Sequence, residues 1–344
     1  MGDEAQTELE KVLESGWQAL DRGAAGEAAR LAKQAVALDA SSAEAQTLTG
    51  GVASAEGDLD AALAAFQKAM SLDPEYFEPA LLAAQLTAAS GDLETGLTLA
   101  EQALDRAEEE EEYLDALLFK AELELAIEDG DAAAETLADL PPLDVKLPEA
   151  DFHIRAAACF FELDDLDSAE AHFRSAAELA PELGDAQHGL ALLAQARGDE
   201  KEMISRFEKV RALDLAAPPS PFAVPEMRLV ERAEAARNEL PAELRDLIAK
   251  APIRVEPYPS EEMVKEGLDP RTVGLFTGEP LDPEDKKSQA HLEHILLFQK
   301  NLERDARSAD ELDEELKLTL LHETAHFFGI EGFDEEGFDE LDED

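Results

Sequence analysis

The stretch GDLDAALAAFQKAMSLDP, residues 57–74, decides how the first two-thirds of the chain is read. Ala62, Phe66 and Ala69 stand at i, i+4 and i+7, the spacing of one buried helix face. Pro74 then closes the segment, because proline cannot continue a helix. Related stretches begin at Gly23, Gly91, Asp164 and Gly198, and a weaker copy begins near Gly130. The starts at 23, 57 and 91 are 34 residues apart, as are those at 130, 164 and 198. The one longer step contains the acidic run EEEEE at 108–112, read as a loop insertion or a helix extension. The apolar stripe returns as Ala169, Phe173 and Ala176, and Pro181 repeats the role of Pro74. Gly16, Gly50, Ala84, Ala157 and Ala191 keep the same phase, so each helix ahead of a turn carries a small residue where a neighbour can approach closely.

A helix-turn-helix unit of this length resembles the tetratricopeptide repeat (TPR). The resemblance spans about residues 7–215 as six helix pairs, with the second, third and fifth units closest to the pattern. It implies an α-solenoid whose concave face binds a peptide or protein segment. A scaffold or a dimer surface is the alternative reading, and oligomeric state is not fixed by the sequence.

The chain of 344 residues carries 81 acidic against 29 basic residues, a formal charge of −52. That balance excludes the clustered Lys and Arg which a nucleic-acid backbone needs, and it disfavours anionic membrane surfaces. No uncharged run reaches membrane-spanning length, and the acidic start MGDEAQTELEKVLESG has no apolar core like that of a secretory signal. With one cysteine, Cys159, no internal disulfide can form, and the expected location is the cytoplasm. Cys159 sits in AAACFF and reads as a small core residue. His153, His172 and His188 read as helix-surface residues of the repeats.

After Leu215 the text changes to AAPPSPFAVPE, whose prolines rule out a helix. The expected organisation is therefore a solenoid over 1–215, a linker over 216–226, and a small α+β domain over 227–344. In that domain MRLVERAEAARNEL and PAELRDLIAK read as helices. IRVEPYP from Ile253, VGLFTGEPL at 273–281 and HILLFQKNLER at 294–304 read as strands. Ser308 to Glu311 has the pattern of a capping box, opening a helix that should stop at Gly329.

That last helix ends in LLHETAHFFGI, residues 320–330. On a helix, positions i and i+4 lie one above the other, so His322 and His326 can aim ring nitrogens at one point. Two neutral imidazoles on one rigid element suit zinc. Zinc lowers the pKa of water towards neutrality and polarises a carbonyl, and Glu323, next to the first histidine, is placed to take the water's proton. This is the zincin scheme of peptide hydrolysis. The alternative is a pair of surface histidines on an amphipathic helix. Leu312, Leu316 and Leu320 supply that helix with a core stripe.

The C-terminal region resembles the zincin-like family described as minimal metallopeptidase-like domains. The resemblance rests on Arg254-Val255-Glu256, GLFTGEPL at 274–281 and HETAHFFG at 322–329, in order over about 228–340. Phe276 stands where that family has tyrosine, and Phe327 where it has a second histidine. The resemblance implies a catalytic Zn2+ held by His322, His326 and a third ligand from the tail. The alignment of GIEGFDEEGF gives Asp334, with Glu331 the next choice and Asp339 a further one. His291 and His294, near the start of the long strand, read either as aids to substrate binding or as ordinary strand residues. The expected function is that of a zinc metallopeptidase fused to partner-recruiting repeats. The alternative is a non-catalytic TPR adaptor whose zincin-like domain is structural or degenerate.

Overall fold

A computed structural model describes residues 3–142, 145, 147–220, 223–281, 290–306 and 309–330. The chain divides into two compact units, residues 1–180 and 181–344.

The first unit is built from antiparallel helix pairs: α1 (Asp3–Asp21) with α2 (Ala25–Leu38), α3 (Ala43–Ala55) with α4 (Leu59–Leu72), α5 (Glu78–Ala89) with α6 (Leu93–Leu104), α7 (Glu110–Ala126) with α8 (Gly130–Leu137), and α9 (Ala150–Glu162) with α10 (Leu166–Leu179). The apolar stripe seen in the sequence is buried: Ala62, Phe66 and Ala69 are at most 2% exposed. The small residues do what their phase predicts. A Cβ on Gly50 would lie 2.4 Å from the Phe66 ring, and one on Gly16 2.4 Å from Leu48.

The period is a backbone device. One residue enters the left-handed region, and an aspartate then caps the next helix. Gly57 has φ +77, and the Asp58 carboxylate accepts from the Ala61 N–H at 3.0 Å. Asp92, Asp129, Asp165 and Asp199 cap in the same way. The left-handed position of the fourth unit is Glu128 (φ 62), two residues before the Gly130 expected from the period. In the fifth it is Asp164 (φ 59). Both tolerate a conformation that favours glycine. The run EEEEE proves to be a helix start. Glu109 and Glu112 form a capping box at the head of α7, where acidic side chains favour the positive end of the helix dipole.

Two histidines of this unit are core residues and not surface ones. His153 is 2% and His172 4% exposed, and their Nδ1 atoms share a hydrogen bond of 3.0 Å. Phe160 stacks on His172 at 5.5 Å between ring centroids. Burial pushes both imidazoles below their usual range, His172 to about 4 with a further push from His153. Cys159 is buried as expected, and desolvation drives its thiol up to about 12. Arg155 ties α9 to α7 through Glu122 (2.7 Å) and Asp115 (2.5 Å).

The second unit contains α11 (Gly184–Ala196) and α12 (Glu200–Ala216), followed by α13 (Glu226–Glu239), α14 (Ala242–Ile248), β1 (Ile253–Glu256), α15 (Glu261–Lys265), β2 (Gly274–Glu279), β3 (His291–Phe298), α16 (Gln299–Asp305) and α17 (Ala309–Phe328). The sequence period places α11 and α12 with the repeats, whereas their packing places them with the C-terminal elements. Val264 of α15 is buried among Ala191, Ala194, Met203 and Phe207 of this pair. His188 pairs with Asp269 at 2.7 Å rather than facing solvent freely.

The three described strands form one sheet in the order β1-β3-β2, with β1 parallel and β2 antiparallel to the central β3. One face packs on helices. Phe276, Ile295 and Leu297 meet Leu229 and Ala233 of α13, Leu244 and Ile248 of α14, and Leu312, Leu316 and Leu320 of α17. The expected long strand over 294–304 ends at Phe298, and its second half is helix α16. Glu303, 0% exposed, closes that helix over the end of the proline-rich segment. It accepts from the Val224 N–H at 2.9 Å and the Gln299 amide at 2.5 Å, and pairs with Lys300 at 2.7 Å. The capping box at Ser308 falls outside the described residues. Among those described, no helix is long and apolar enough to cross a membrane.

The buried histidine pair sets a pH dependence. In the folded chain the neutral rings are favoured, while unfolded histidines protonate from about pH 6.5 down. The stability they contribute is therefore present above about pH 6.5 and lost as pH falls towards about 4. The unfolding free energy from denaturation curves measured against pH should fall over that window by about 3 kcal/mol. The His153→Ala, His172→Ala double variant should lack this component.

Candidate active site on the last helix

α17 is set in rotation by its leucines. At roughly 100° per residue, Glu323 and Phe327 lie about 20° from the middle of the Leu312–Leu316–Leu320 stripe, His326 about 80° away and His322 about 120° away on the same flank. The burial follows this order. Leu316 and Leu320 are fully buried and Phe327 is 4% exposed, Glu323 is half-buried, and both histidines are exposed. The helix ends where the sequence predicts. Gly329 has φ +61, its N–H bonds to the His326 carbonyl (3.3 Å), and the Ile330 N–H reaches back to the Ala325 carbonyl (2.9 Å). Both are bonds of a Schellman cap.

A carboxylate on the core side of a helix loses hydration, and desolvation raises the Glu323 pKa above the usual carboxylate range. The Phe276 backbone, together with His326 and His322, opposes part of that rise. Phe276 lies on β2, the strand beside α17, and β2 has a free edge among the described residues. The central β3, which carries His291 and His294, is paired on both sides. An extended segment would thus meet β2 and not the strand singled out in the sequence.

The two departures from the family pattern are one feature in space. The rings of Phe276 and Phe327 are 6.0 Å apart between centroids and both are buried. Two polar family positions are apolar together here, on the core side of Glu323. No spacing in the sequence links residues so far apart.

β2 and β3 hold a bulge next to the site. Thr277 pairs with His294 and Gly278 with Leu292, which leaves Glu293 as the extra residue. The shift turns Leu292 towards the same core as Ile295. It also requires glycine at 278, where φ is +134 and a Cβ would lie 2.1 Å from the His291 carbonyl oxygen.

The donor set fits zinc in kind. His322 and His326 offer two imidazoles from one face of one rigid helix, open to solvent. No group of three or more His, Cys, Asp or Glu side chains is gathered among the described residues. Asp334, with its alternatives Glu331 and Asp339, lies outside them.

Comparison with known proteins agrees with both parts of this architecture. Residues 248–344 match the family model described as zincin-like metallopeptidase, and residues 43–76 match the tetratricopeptide repeat. The chain thus joins TPR-like helix pairs to a zincin-like metallopeptidase domain. Among solved structures it is similar to PilF of Pseudomonas aeruginosa, with a TM-score of 0.51 and 15% identity over 61% of this chain and 94% of that one. It is also similar to PilW, a type IV pilus biogenesis factor, with a TM-score of 0.50 and 14% identity over 62% and 94%. At such identities these likenesses show the fold of the helical region. No curated protein matches the sequence.

The bulge gives a direct test. Gly278→Ala should lower stability by about 1–3 kcal/mol, since backbone and not a side-chain tip must move. Urea denaturation would show it, and an unchanged midpoint would mean that the β2–β3 register differs from the one described.

Proposed function

We propose that this chain is a zinc-dependent peptidase whose helical repeats bring a protein or peptide partner to the C-terminal domain. The observation that carries the reading is the position of Glu323. It is a carboxylate half-buried on the core side of α17, with a raised pKa, between a strand with a free edge and two exposed histidines one turn apart. The zincin-like match over the same residues supports it.

In this reading His322 and His326 hold the metal, and Asp334 is the proposed third ligand. Bound zinc would supply Lewis-acid chemistry, lowering the pKa of water and polarising a peptide carbonyl. The other roles fall to the protein. Glu323 takes a proton from the attacking water. Burial favours its protonated form, so it can carry that proton and return it to the leaving amine. The free edge of β2 offers backbone partners to an extended substrate. The domain is small, so selectivity comes largely from the repeats, which raise the local concentration of whatever they bind. The net charge of −52 favours a basic or neutral partner by long-range attraction. The single buried cysteine fits a reducing cytoplasm.

The test begins with metal content. Untagged protein should contain about one zinc per chain by elemental analysis, and His322→Ala should contain none. Glu323→Gln should keep the zinc and lose cleavage of a peptide library. A parent chain that takes up no zinc near pH 7.5 would overturn the peptidase reading in favour of a TPR adaptor.

A further inference from the structure

In the first unit, the turn between α7 and α8 and the turn between α9 and α10 border a cavity of about 830 Å³. Two small residues account for it. α6 carries Leu93 and Leu97 at its first and fifth positions, and both pack against the cluster of Ala84, Ala100 and Leu123. α4 carries Leu63 at its fifth position, packed on the cluster of Ala62 and Phe66. α8 has Gly130 and Ala134 at those positions. It is also shorter, with 8 residues against 12 in α6 and 14 in α4. The space that leucines fill elsewhere is open here, and Leu137, Phe160 and Leu163 form its apolar floor. Phe160 and Leu163 are only half-buried.

The rim is acidic. The first turn contributes Glu128, Asp129 and Asp131, and the second Glu162, Asp164 and Asp165. All six are exposed, and among the described residues no lysine, arginine or histidine lines the cavity. The corresponding turns elsewhere use glycine at the left-handed position, at Gly23, Gly57, Gly91 and Gly198. The two that use acids, Glu128 and Asp164, are the two that border this cavity. Carboxylates around an apolar floor select a ligand that is apolar along its stem and positive at its tip. A lysine or arginine side chain is built this way. Its methylenes would cover Phe160 and Leu163, and its head would reach the rim, where low-dielectric walls focus the field. An acidic or neutral segment gains nothing from the rim, and a small polycation gains nothing from the floor.

We propose that this cavity is a docking site for a basic protein segment, entered by a lysine or arginine beside an apolar residue. The inference rests on the reading above in that the repeats bind a partner, and it names that partner's chemistry.

The probe is a short fluorescent peptide, capped at both ends, in which two lysines flank a leucine. Fluorescence anisotropy with the full chain near physiological salt should show saturable binding. The same peptide with glutamates for the lysines, or with glycine for the leucine, should bind about tenfold more weakly or worse. Ala134→Leu puts back the side chain that α4 and α6 carry and leaves the charge unchanged, so it should weaken the lysine peptide about tenfold. The pair Glu128→Gly and Asp164→Gly restores the glycine of the other turns. It should fold at least as stably as the parent and also bind about tenfold more weakly, and it serves if Ala134→Leu fails to fold. Asp60→Asn with Glu94→Gln removes the same charge from other turns and should leave binding in place. Parent-like binding by Ala134→Leu or by the glycine pair would mean that overall charge alone attracts the peptide, and overturns the inference. So does binding of the triamine spermidine as tight as that of the peptide, which would make the ligand a small polycation. Zinc content separates this test from the peptidase reading. A zinc-free chain that binds the lysine peptide in this pattern sinks that reading and leaves the docking site standing, and a zinc-loaded chain indifferent to the peptide does the reverse.

Discussion

Glu323 is a carboxylate on the side of α17 that the leucine stripe turns inward, and water cannot fully solvate it there. The Phe276 backbone on β2 offsets part of that loss. Most of the second unit can be understood as what this placement of α17 against β2 requires. α17 must keep its rotation, which the burial of Leu312, Leu316 and Leu320 secures. At about 1.5–3 kcal/mol for each fully buried side chain, that stripe outweighs any single polar contact on the helix. β2 must keep its register, which the Gly278 bulge secures, with the Asn301 amide donating to the Pro270 and Thr272 carbonyls just ahead of the strand. The histidines need no such support, because the same rotation that sends the leucines in leaves them on an open flank.

Much of this was legible in the sequence because it obeys local periods. The stripe of residues 57–74, the small residues in phase with it, and the HETAH spacing all follow from 3.6 residues per turn. The stop at Gly329 follows from cap chemistry. The misreadings share a cause: they depend on residues far apart in the chain. His153 and His172 look like surface histidines, since each is polar on its own helix. Only their pairing makes them core. The run from 294 to 304 reads as one strand, because nothing local announces that Glu303 closes α16 over the end of the proline-rich segment. The fourth turn falls at Glu128 because the left-handed position tolerates an acidic residue, so the glycine two residues later misleads.

The zincin resemblance was also legible, but its consequence was not. Phe276 and Phe327 look like two independent departures from a pattern. In the fold they are one contact, which keeps the core side of Glu323 apolar. Arg271, whose guanidinium bonds Asp185 of α11 and Asp214 of α12, left no trace in the sequence either. Its aspartates belong to a chain so rich in acid that none stands out, and the turn that it pins has no motif.

The buried thiol of Cys159 gives the first unit a built-in reporter. As the lone cysteine of the chain, shielded and with its pKa pushed to about 12, it is inert to alkylation while α9 stays packed. Any labelling must pass through an opening of that helix, so the rate at which an electrophile reacts reads out local unfolding of one repeat, and nothing in the second unit contributes to the signal.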